Sequence, residues 1–225
     1  MHKNYKVNEL FQTIQGEGFY TGVPAIFVRL QGCDVGCAWC DTKHTWEIDP
    51  AKQTELNLLT DRSNESERWS GVSAQQIIDE IKRLGYTANL VVITGGEPCM
   101  YDLRELTHLL HEFGFHTQIE TSGTYPVLVD SYSWVTVSPK INMRAKKEVL
   151  LSALERANEI KHPVGTEKDI DQLDALLRPV KSLKTKTICL QPISQKAKAT
   201  ALCMQVCIER NWRLSVQVHK YLDID

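Results

Sequence analysis

Three of the chain's seven cysteines lie within eight residues, in the segment QGCDVGCAWCDTKHTW at 31–46. Cys33, Cys37 and Cys40 are separated by three and then two residues, so a single short loop brings three thiols together. A structural zinc site normally takes four ligands in two separated pairs. The other cysteines are too scattered to form an obvious second pair, and the last three are expected to be core residues: Cys99, Cys189, Cys203 and Cys207.

An iron-sulfur cubane normally takes four thiolates, so three thiolates leave one iron with an open position for a small-molecule ligand. His44 is the nearest candidate for a fourth zinc ligand, but it lies very close to Cys40 in sequence. The ligand count therefore favours a [4Fe-4S] cluster with an open iron, and structural zinc is the alternative.

The segment TGGEP at 94–98 follows a run, NLVVIT, that is typical of a buried strand. Gly95 and Gly96 allow backbone carbonyls to approach a ligand closely, and Glu97 places a negative charge that suits an ammonium group. Alone, a glycine pair at a strand end indicates only a turn. Together with the C-x3-C-x2-C loop, the segment resembles the signature of the radical S-adenosylmethionine (SAM) enzymes, in which a GGE motif binds the amino group of SAM.

Strands and helices alternate along the chain, which favours a parallel sheet with helices outside it. The predicted strands are 25–31, 89–94, 116–121, 134–138, 185–191 and 213–219, and the predicted helices are 73–84, 103–113, 167–177 and 197–210. Several strands run into polar segments that contain Gly or Pro, such as TGGEP, ETSG, SPK and QPIS. Because the carboxyl ends of parallel strands carry the site in α/β folds, we expect these segments to meet at one rim.

The composition is that of an ordinary globular protein, with 42% hydrophobic residues and a formal net charge of −2. That charge provides no general attraction to nucleic acid or to an anionic membrane. No run approaches the ~18 apolar residues of a membrane span, and the start of the chain lacks the apolar block of a secretory signal. We therefore expect a cytoplasmic protein with reduced thiols, built as one domain over 1–225 with a polar insertion at about 47–72.

Three further stretches narrow the resemblance: FQTIQGEGFYTGVPAIFVRLQGC, CDTKHTW and VQVHKYL. From Asn8 to the end, the chain resembles the 7-carboxy-7-deazaguanine synthase family. The resemblance implies a partial, open TIM-like barrel of about six parallel strands with a radical SAM core. It also implies conversion of 6-carboxy-5,6,7,8-tetrahydropterin to 7-carboxy-7-deazaguanine with loss of ammonia, in queuosine and 7-deazapurine biosynthesis. The cofactors would be a [4Fe-4S] cluster, SAM as the source of a 5'-deoxyadenosyl radical, and Mg²⁺.

The substrate of that family carries a carboxylate and an amino-pyrimidinone edge. Arg29 lies within the apolar strand IFVRL, where its guanidinium suits a carboxylate, although a surface salt bridge is the alternative. Gln15 and Glu17 flank glycines and can hydrogen-bond the pyrimidinone edge, unless Glu17 is a solvated loop acid. The resemblance implies further substrate contacts at Ile14, Gly16, Thr94 and the terminal carboxylate of Asp225. His219 is a candidate for substrate contact or for packing.

The resemblance also implies the residues that contact SAM and the metal. Thr42 would bind Mg²⁺ through its hydroxyl, with Asp41 as an alternative ligand and a helix N-cap as an alternative role. Trp39 would shield the cluster and contact SAM, or simply pack. No catalytic side chain is assigned beyond the cluster and SAM. The remaining SAM contacts would be Gly95, Gly96, Glu97, Ser138, Pro139, Lys140, Gln191 and Ser194.

Two other classes of protein remain as alternatives. Another radical SAM enzyme, such as a glycyl-radical activase, shares the cysteines and the GGE motif but does not need the Gln15–Gly18 run or the terminal HKYL. A non-catalytic zinc-binding module would be colourless and would need a fourth ligand. The expected partners are the pterin substrate, an electron donor such as flavodoxin and a second copy of the chain, with no nucleic acid and no membrane.

Overall fold

The computed structural model describes residues 4–59 and 66–222. Within these residues the strands are β1 Tyr5–Ile14, β2 Pro24–Leu30, β3 Ser70–Val72, β4 Leu90–Gly95, β5 His116–Thr121, β6 Trp134–Val137, β7 Glu159–Val164, β8 Thr187–Pro192 and β9 Arg213–Leu214. The helices are α1 Ala74–Arg83, α2 Arg104–Glu112, α3 Leu151–Arg156, α4 Glu167–Leu177, α5 Ala197–Arg210 and α6 His219–Leu222.

The strands form one sheet in the order β3-β1-β2-β4-β5-β6-β7-β8-β9. β1 pairs antiparallel with β2 and β3, while β2 and β4 to β9 run parallel. The sheet does not close, because β3 and β9 are its two edges. The predicted α/β fold with an open, largely parallel sheet is confirmed, with nine strands in the described part of the chain.

The four predicted helices, 73–84, 103–113, 167–177 and 197–210, correspond to α1, α2, α4 and α5. The Ser73 hydroxyl accepts a hydrogen bond from Gln76 N at 3.3 Å, and together they form the predicted capping box of α1. Ile77, Ile78 and Ile81 of α1 are buried against the outer face of the sheet. The bounds of α4 and α5 agree with the prediction because both have a regular apolar face.

Five elements of the described residues were not predicted, namely β1, β3, β7, α3 and α6. β7 has the sequence EIKHPV, and its inward-facing residues are charged, so it lacks the apolar or alternating pattern of a typical strand. The prediction of a strand over 213–219 was too long. Only Arg213–Leu214 pair with β8, since Ser215 and Gln217 turn inward and bond to the loop after β1.

Residues 47–59 and 66–72 lie beside β1 at the edge of the sheet. Two short 3-10 helices, Pro50–Lys52 and Leu56–Leu59, are joined to β3 through Trp69, whose Nε1 donates to Asp49 O at 2.9 Å. The single domain over 1–225 and the insertion at about 47–72 stay predictions. No helix among the described residues is long and apolar enough to span a bilayer.

Candidate active site

A cavity of about 350 Å³ lies on the inner face of the sheet, at the carboxyl ends of its parallel strands. Nearly all of the predicted site residues line it. Pro139 does not line this cavity, and Asp225 lies outside the described residues. The predicted residues at the cavity wall are Ile14, Gln15, Gly16, Glu17, Arg29, Cys33, Cys37, Trp39, Cys40, Thr42, Thr94, Gly95, Gly96, Glu97, Ser138, Lys140, Gln191, Ser194 and His219.

The loop after β2 presents Cys33, Cys37 and Cys40 at one end of the cavity, all as free thiols. The backbone fixes the loop at both ends, since Cys33 N donates to Trp46 O at 3.0 Å and Cys40 N donates to Cys37 O at 3.3 Å. The indole Nε1 of Trp46 also donates to Cys40 Sγ at 3.4 Å. Burial raises the pKa of Cys33 to about 11, with a smaller opposing effect from a backbone hydrogen bond at Val35.

These residues fit a bound iron-sulfur cluster. Soft thiolates are the ligands that such clusters use, and a thiol of high pKa needs the charge of a metal to ionise. In the described part of the chain, no group of three His, Cys, Asp or Glu side chains is close enough together to bind a single metal ion. A cubane cluster makes a different demand, because each thiolate binds its own iron.

The glycine pair at the end of β4 packs directly against β2 and the cysteine loop. Gly95 has φ +125°, and a Cβ there would lie 2.2 Å from Leu30 O. A Cβ at Gly96 would lie 2.2 Å from Gly32 O and 3.0 Å from Cys33 Cβ. The sequence predicted these glycines for close approach to a ligand; the structure adds that they allow β4 to contact the loop that carries the thiols.

Glu97 is buried, and its carboxylate accepts hydrogen bonds from the protein itself. Oε1 accepts from Cys99 N at 2.9 Å and Thr121 Oγ1 at 2.6 Å, and Oε2 accepts from Ser122 N at 2.8 Å and from the Ser122 hydroxyl. These bonds tie the end of β4 to the end of β5. Glu97 thus brings a fixed negative charge to the cavity wall, the property that the sequence predicted for an ammonium group.

Arg29 faces the cavity from β2 between two register partners, Glu9 on β1 and Thr94 on β4. Its Nε donates to the Glu9 carboxylate, and His44 Nε2 lies 3.9 Å from the other oxygen of Glu9. The guanidinium also lies over the ring of Phe11, 5.7 Å from its centroid. Arg29 therefore has an ion-pair partner inside the site, and its plane is fixed at the cavity wall.

A buried charge cluster occupies the side of the cavity opposite β2. Lys161 Nζ on β7 lies 2.6 Å from Glu17 Oε2 and 2.9 Å from Glu120 Oε2. Burial raises the pKa of Glu17, but Lys161 and Gln217 outweigh burial and lower it to about 2. The pKa of Glu120 is raised to about 7 by burial, against the opposing effect of Lys161. Burial alone would lower the pKa of Lys161, but the surrounding carboxylates raise it.

The loop after β1 closes the cavity beneath this cluster. Gln15 Nε2 donates to Gln118 Oε1 at 3.0 Å, and Phe19 N donates to Glu159 Oε1 at 3.0 Å. Gly18 has φ +66°, and a Cβ there would lie 2.3 Å from that same carboxylate oxygen of Glu159. The glycine after Glu17 thus lets the backbone pass over Glu159 while Glu17 points inward.

The segments after β6 and β8 and the loop after Cys40 complete the wall. Lys140 Nζ donates to Ser138 Oγ at 2.7 Å, and Gln191 Oε1 accepts from Ser215 Oγ at 3.0 Å. Burial lowers the pKa of Lys140, while Cys37 opposes that effect. Thr42 Oγ1 lies 3.6 Å from Cys40 Sγ and donates to Gly95 O at 3.3 Å.

The last described residues cross the mouth of the cavity. Val218 N donates to Gly16 O at 2.9 Å, so the segment before α6 lies against the loop after β1. Lys220 Nζ lies 3.2 Å from Asp41 Oδ2, next to the cysteine loop. His219 lies between these two contacts and lines the cavity.

Sequence reasoning missed several residues of the wall, above all Glu120, Lys161 and Gln217. Glu120 begins the ETSG segment, and a polar segment at a strand end was a usable signal. Lys161 had none, because β7 was not recognised as a strand. Gln217 lay within the segment predicted as the last strand.

Comparison with known proteins relates this geometry to a family. A profile of the Radical SAM superfamily matches residues 27–141. A 7-carboxy-7-deazaguanine synthase of Escherichia coli (strain K12) is 59% identical over 220 residues, which are 98% of this chain and 99% of that protein. One from Buchnera aphidicola subsp. Schizaphis graminum (strain Sg) is 47% identical with the same coverage. The crystal structure of QueE from Escherichia coli has a TM-score of 0.94 and 58% identity, covering 96% of this chain and 95% of that one. This chain therefore belongs to the 7-carboxy-7-deazaguanine synthase family of radical SAM enzymes.

Proposed function

We propose that this chain converts 6-carboxy-5,6,7,8-tetrahydropterin to 7-carboxy-7-deazaguanine with release of ammonia, as a carbon-nitrogen lyase of queuosine and 7-deazapurine biosynthesis. The supporting observation is that one cavity contains the three thiols, the GGE segment and the Arg29 side chain, in a chain that belongs to this family. Radical SAM membership implies a [4Fe-4S] cluster and SAM as cofactors. Mg²⁺ is the third cofactor that we propose.

The end of the cavity that carries the three cysteines would hold the [4Fe-4S] cluster and SAM. Cys33, Cys37 and Cys40 would ligate three irons of the cluster, and the fourth iron would be left for SAM. When bound, the cluster and SAM supply the radical that removes hydrogen from the substrate. Glu97 would place its charge near the ammonium group of SAM, and Trp39 would cover the site. The other proposed SAM contacts are Gly95, Gly96, Ser138, Pro139, Lys140, Gln191 and Ser194.

The opposite end of the cavity would bind the pterin. Arg29 binds the substrate carboxylate through its terminal guanidinium nitrogens, because its Nε is already bonded to Glu9. Gln15 and Glu17 would accept from the amino-pyrimidinone edge. At the cluster end, beside Cys40, Thr42 would bind Mg²⁺ through its hydroxyl, as suits a hard cation. The other proposed substrate contacts are Ile14, Gly16, Thr94, His219 and the terminal carboxylate of Asp225.

The chemistry also implies partners and a location. A cluster that must be reduced before each reaction needs an electron donor, for which we propose a flavodoxin. A second copy of the chain is proposed as the oligomeric partner. We propose a cytoplasmic location, where thiols stay reduced and the cluster ligands stay available.

Product analysis tests the proposal. Protein reconstituted anaerobically with iron and sulfide is incubated with the carboxytetrahydropterin, SAM, dithionite and Mg²⁺, and the products are identified by mass. The expected result is 7-carboxy-7-deazaguanine and ammonia in equal amounts, with product formation lost when SAM or reductant is omitted. Consumption of SAM without any deazaguanine would contradict the proposal and would favour another radical SAM activity.

A further inference from the structure

Lys161 lies at the centre of the charged half of the cavity. Its side chain is 5% exposed, and its ammonium group contacts two carboxylates from distant parts of the chain. Glu17 comes from the loop after β1, and Glu120 comes from the inner face of β5. One ammonium therefore joins two walls of the cavity.

Both carboxylates keep acceptor capacity beyond their bonds to the protein. Glu17 accepts from Lys161 and from Gln217 Nε2 at 2.8 Å, and Glu120 accepts from Lys161 and from Gln118 Nε2 at 3.0 Å. In its ionised form each carboxylate has about four lone-pair sites and therefore retains about two. Both side chains line the cavity, where those sites face any ligand that enters.

Two carboxylates this close repel each other unless a cation lies between them, and without one they tend to share a proton. The surrounding charges do not replace Lys161. Glu159, two residues earlier on β7, adds negative charge, although it is bonded to Thr136 Oγ1 at 2.9 Å. The charged and titratable groups around Lys161 include Glu17, Glu120, Glu159, Lys140, His219 and, on β8, Cys189.

We propose that Lys161 is a positioning residue that holds Glu17 and Glu120 side by side as a paired hydrogen-bond acceptor for the amino-pyrimidinone edge of the pterin. The ring N–H and the exocyclic amino group of that edge are adjacent donors, and adjacent donors match two neighbouring carboxylates. This inference rests on the proposed function, because it takes the pterin as the ligand. It adds Glu120 and Lys161 to the residues that determine specificity.

The test measures binding without turnover. Reconstituted protein with SAM and Mg²⁺, but without reductant, is titrated with 6-carboxypterin, a fluorescent oxidised analogue of the substrate. The dissociation constant is measured across the pH range in which the pterin ring stays neutral. Variants are Lys161→Met, which removes the charge, and Lys161→Arg, which keeps it. Lys186→Met is the matched control, since Lys186 Nζ bonds to two backbone carbonyls, Glu155 O at 2.8 Å and Ala157 O at 2.7 Å, and is not among the described residues that line the cavity.

Removal of the ammonium raises the pKa of the carboxylate pair, so one carboxylate keeps its proton to higher pH and accepts fewer hydrogen bonds. We expect Lys161→Met to weaken binding about tenfold at neutral pH and to move the pH midpoint of binding upward by about one unit. Lys161→Arg should keep a midpoint near that of the wild type, and Lys186→Met should not move it. If Lys161→Met fails to fold, Lys161→Gln provides the same comparison.

The outcomes separate this inference from the proposed function. If wild type binds 6-carboxypterin and Lys161→Met loses affinity equally at every pH, Lys161 has only a structural role and the inference is overturned. Unchanged affinity in Lys161→Met overturns it as well. If wild-type protein itself does not bind 6-carboxypterin, the substrate assignment fails, and the inference fails with it.

Discussion

The contact between the glycine pair and the cysteine loop leads to a quantitative prediction for Gly95→Ala. Gly95 has φ +125°, a conformation that L residues rarely adopt, and the added methyl group would lie 2.2 Å from Leu30 O and 2.3 Å from Leu30 N. Both of these atoms belong to the backbone of a central strand, so no side-chain rotation relieves the overlap. The strand or the loop itself must move.

The cost has two parts. An L residue in a left-handed conformation costs about 1–2 kcal/mol. Inserting a methyl group into a packed region costs about 1–3 kcal/mol more. The sum is about 2–5 kcal/mol, a large share of the ~5–15 kcal/mol that stabilises a typical domain, and it lowers Tm by about 2–4 °C per kcal/mol in a chain of this size.

Gly114→Ala is the matched control. Gly114 has φ +85° at the end of α2, and a Cβ there would meet nothing within 4 Å. It should lose only the backbone part, about 1–2 kcal/mol. Urea unfolding of both variants at equal iron content, followed by far-UV circular dichroism, measures the difference. Equal free energies of unfolding for the two variants would refute the packing role of Gly95.

Three further predictions follow from the site and the core. Cys37→Ala should bind less iron after reconstitution and lose all product, as iron assay and mass spectrometry would detect, whereas undiminished turnover would contradict the cluster assignment. Glu9→Gln should raise KM for the pterin about tenfold with kcat nearly unchanged, because Arg29 loses its charged partner but the reacting atoms are untouched. Steady-state kinetics that show a lower kcat with an unchanged KM would contradict this prediction. Burial lowers the pKa of His162 from 6.5 to about 4, so the folded state favours the neutral imidazole. Its contribution to the free energy of unfolding is complete above pH 6.5, and about 3 kcal/mol of it is lost as the pH falls to 4. His162→Gln should show a flatter stability profile over that range in urea unfolding, and an unchanged profile would exclude His162 as the cause.

Local patterns predicted the parts of the site that a short stretch of chain forms by itself. The spacing of Cys33, Cys37 and Cys40 lies within one loop, and the GGE segment lies at one strand end. The alternation of strands and helices was sufficient to place the ends of the parallel strands at a common rim. These features depend on neighbours in sequence, which a pattern records.

Contacts between distant residues were not predictable in the same way. Lys161 bonds to Glu17, which lies 144 residues away in sequence. The charged residues of β7 also interrupt the apolar pattern by which a buried strand is recognised in a sequence. The Glu97 carboxylate bonds to Ser122, which directly follows β5. The sequence also did not predict the packing role of Gly96, because the atoms that it approaches belong to Gly32 and Cys33 in a distant loop. A buried charge is tolerated only with its partner, and the partner is known only from the fold.

The central claim is that three thiolates hold a four-iron cluster whose remaining iron is open to SAM. Electron paramagnetic resonance of the reduced, reconstituted protein tests it most directly, together with an assay of iron and sulfide. The account predicts about four irons and four sulfides per chain, as a cubane requires, and a spectrum that changes when SAM is added. One zinc and no iron, or a four-iron spectrum that SAM leaves unchanged, would contradict it.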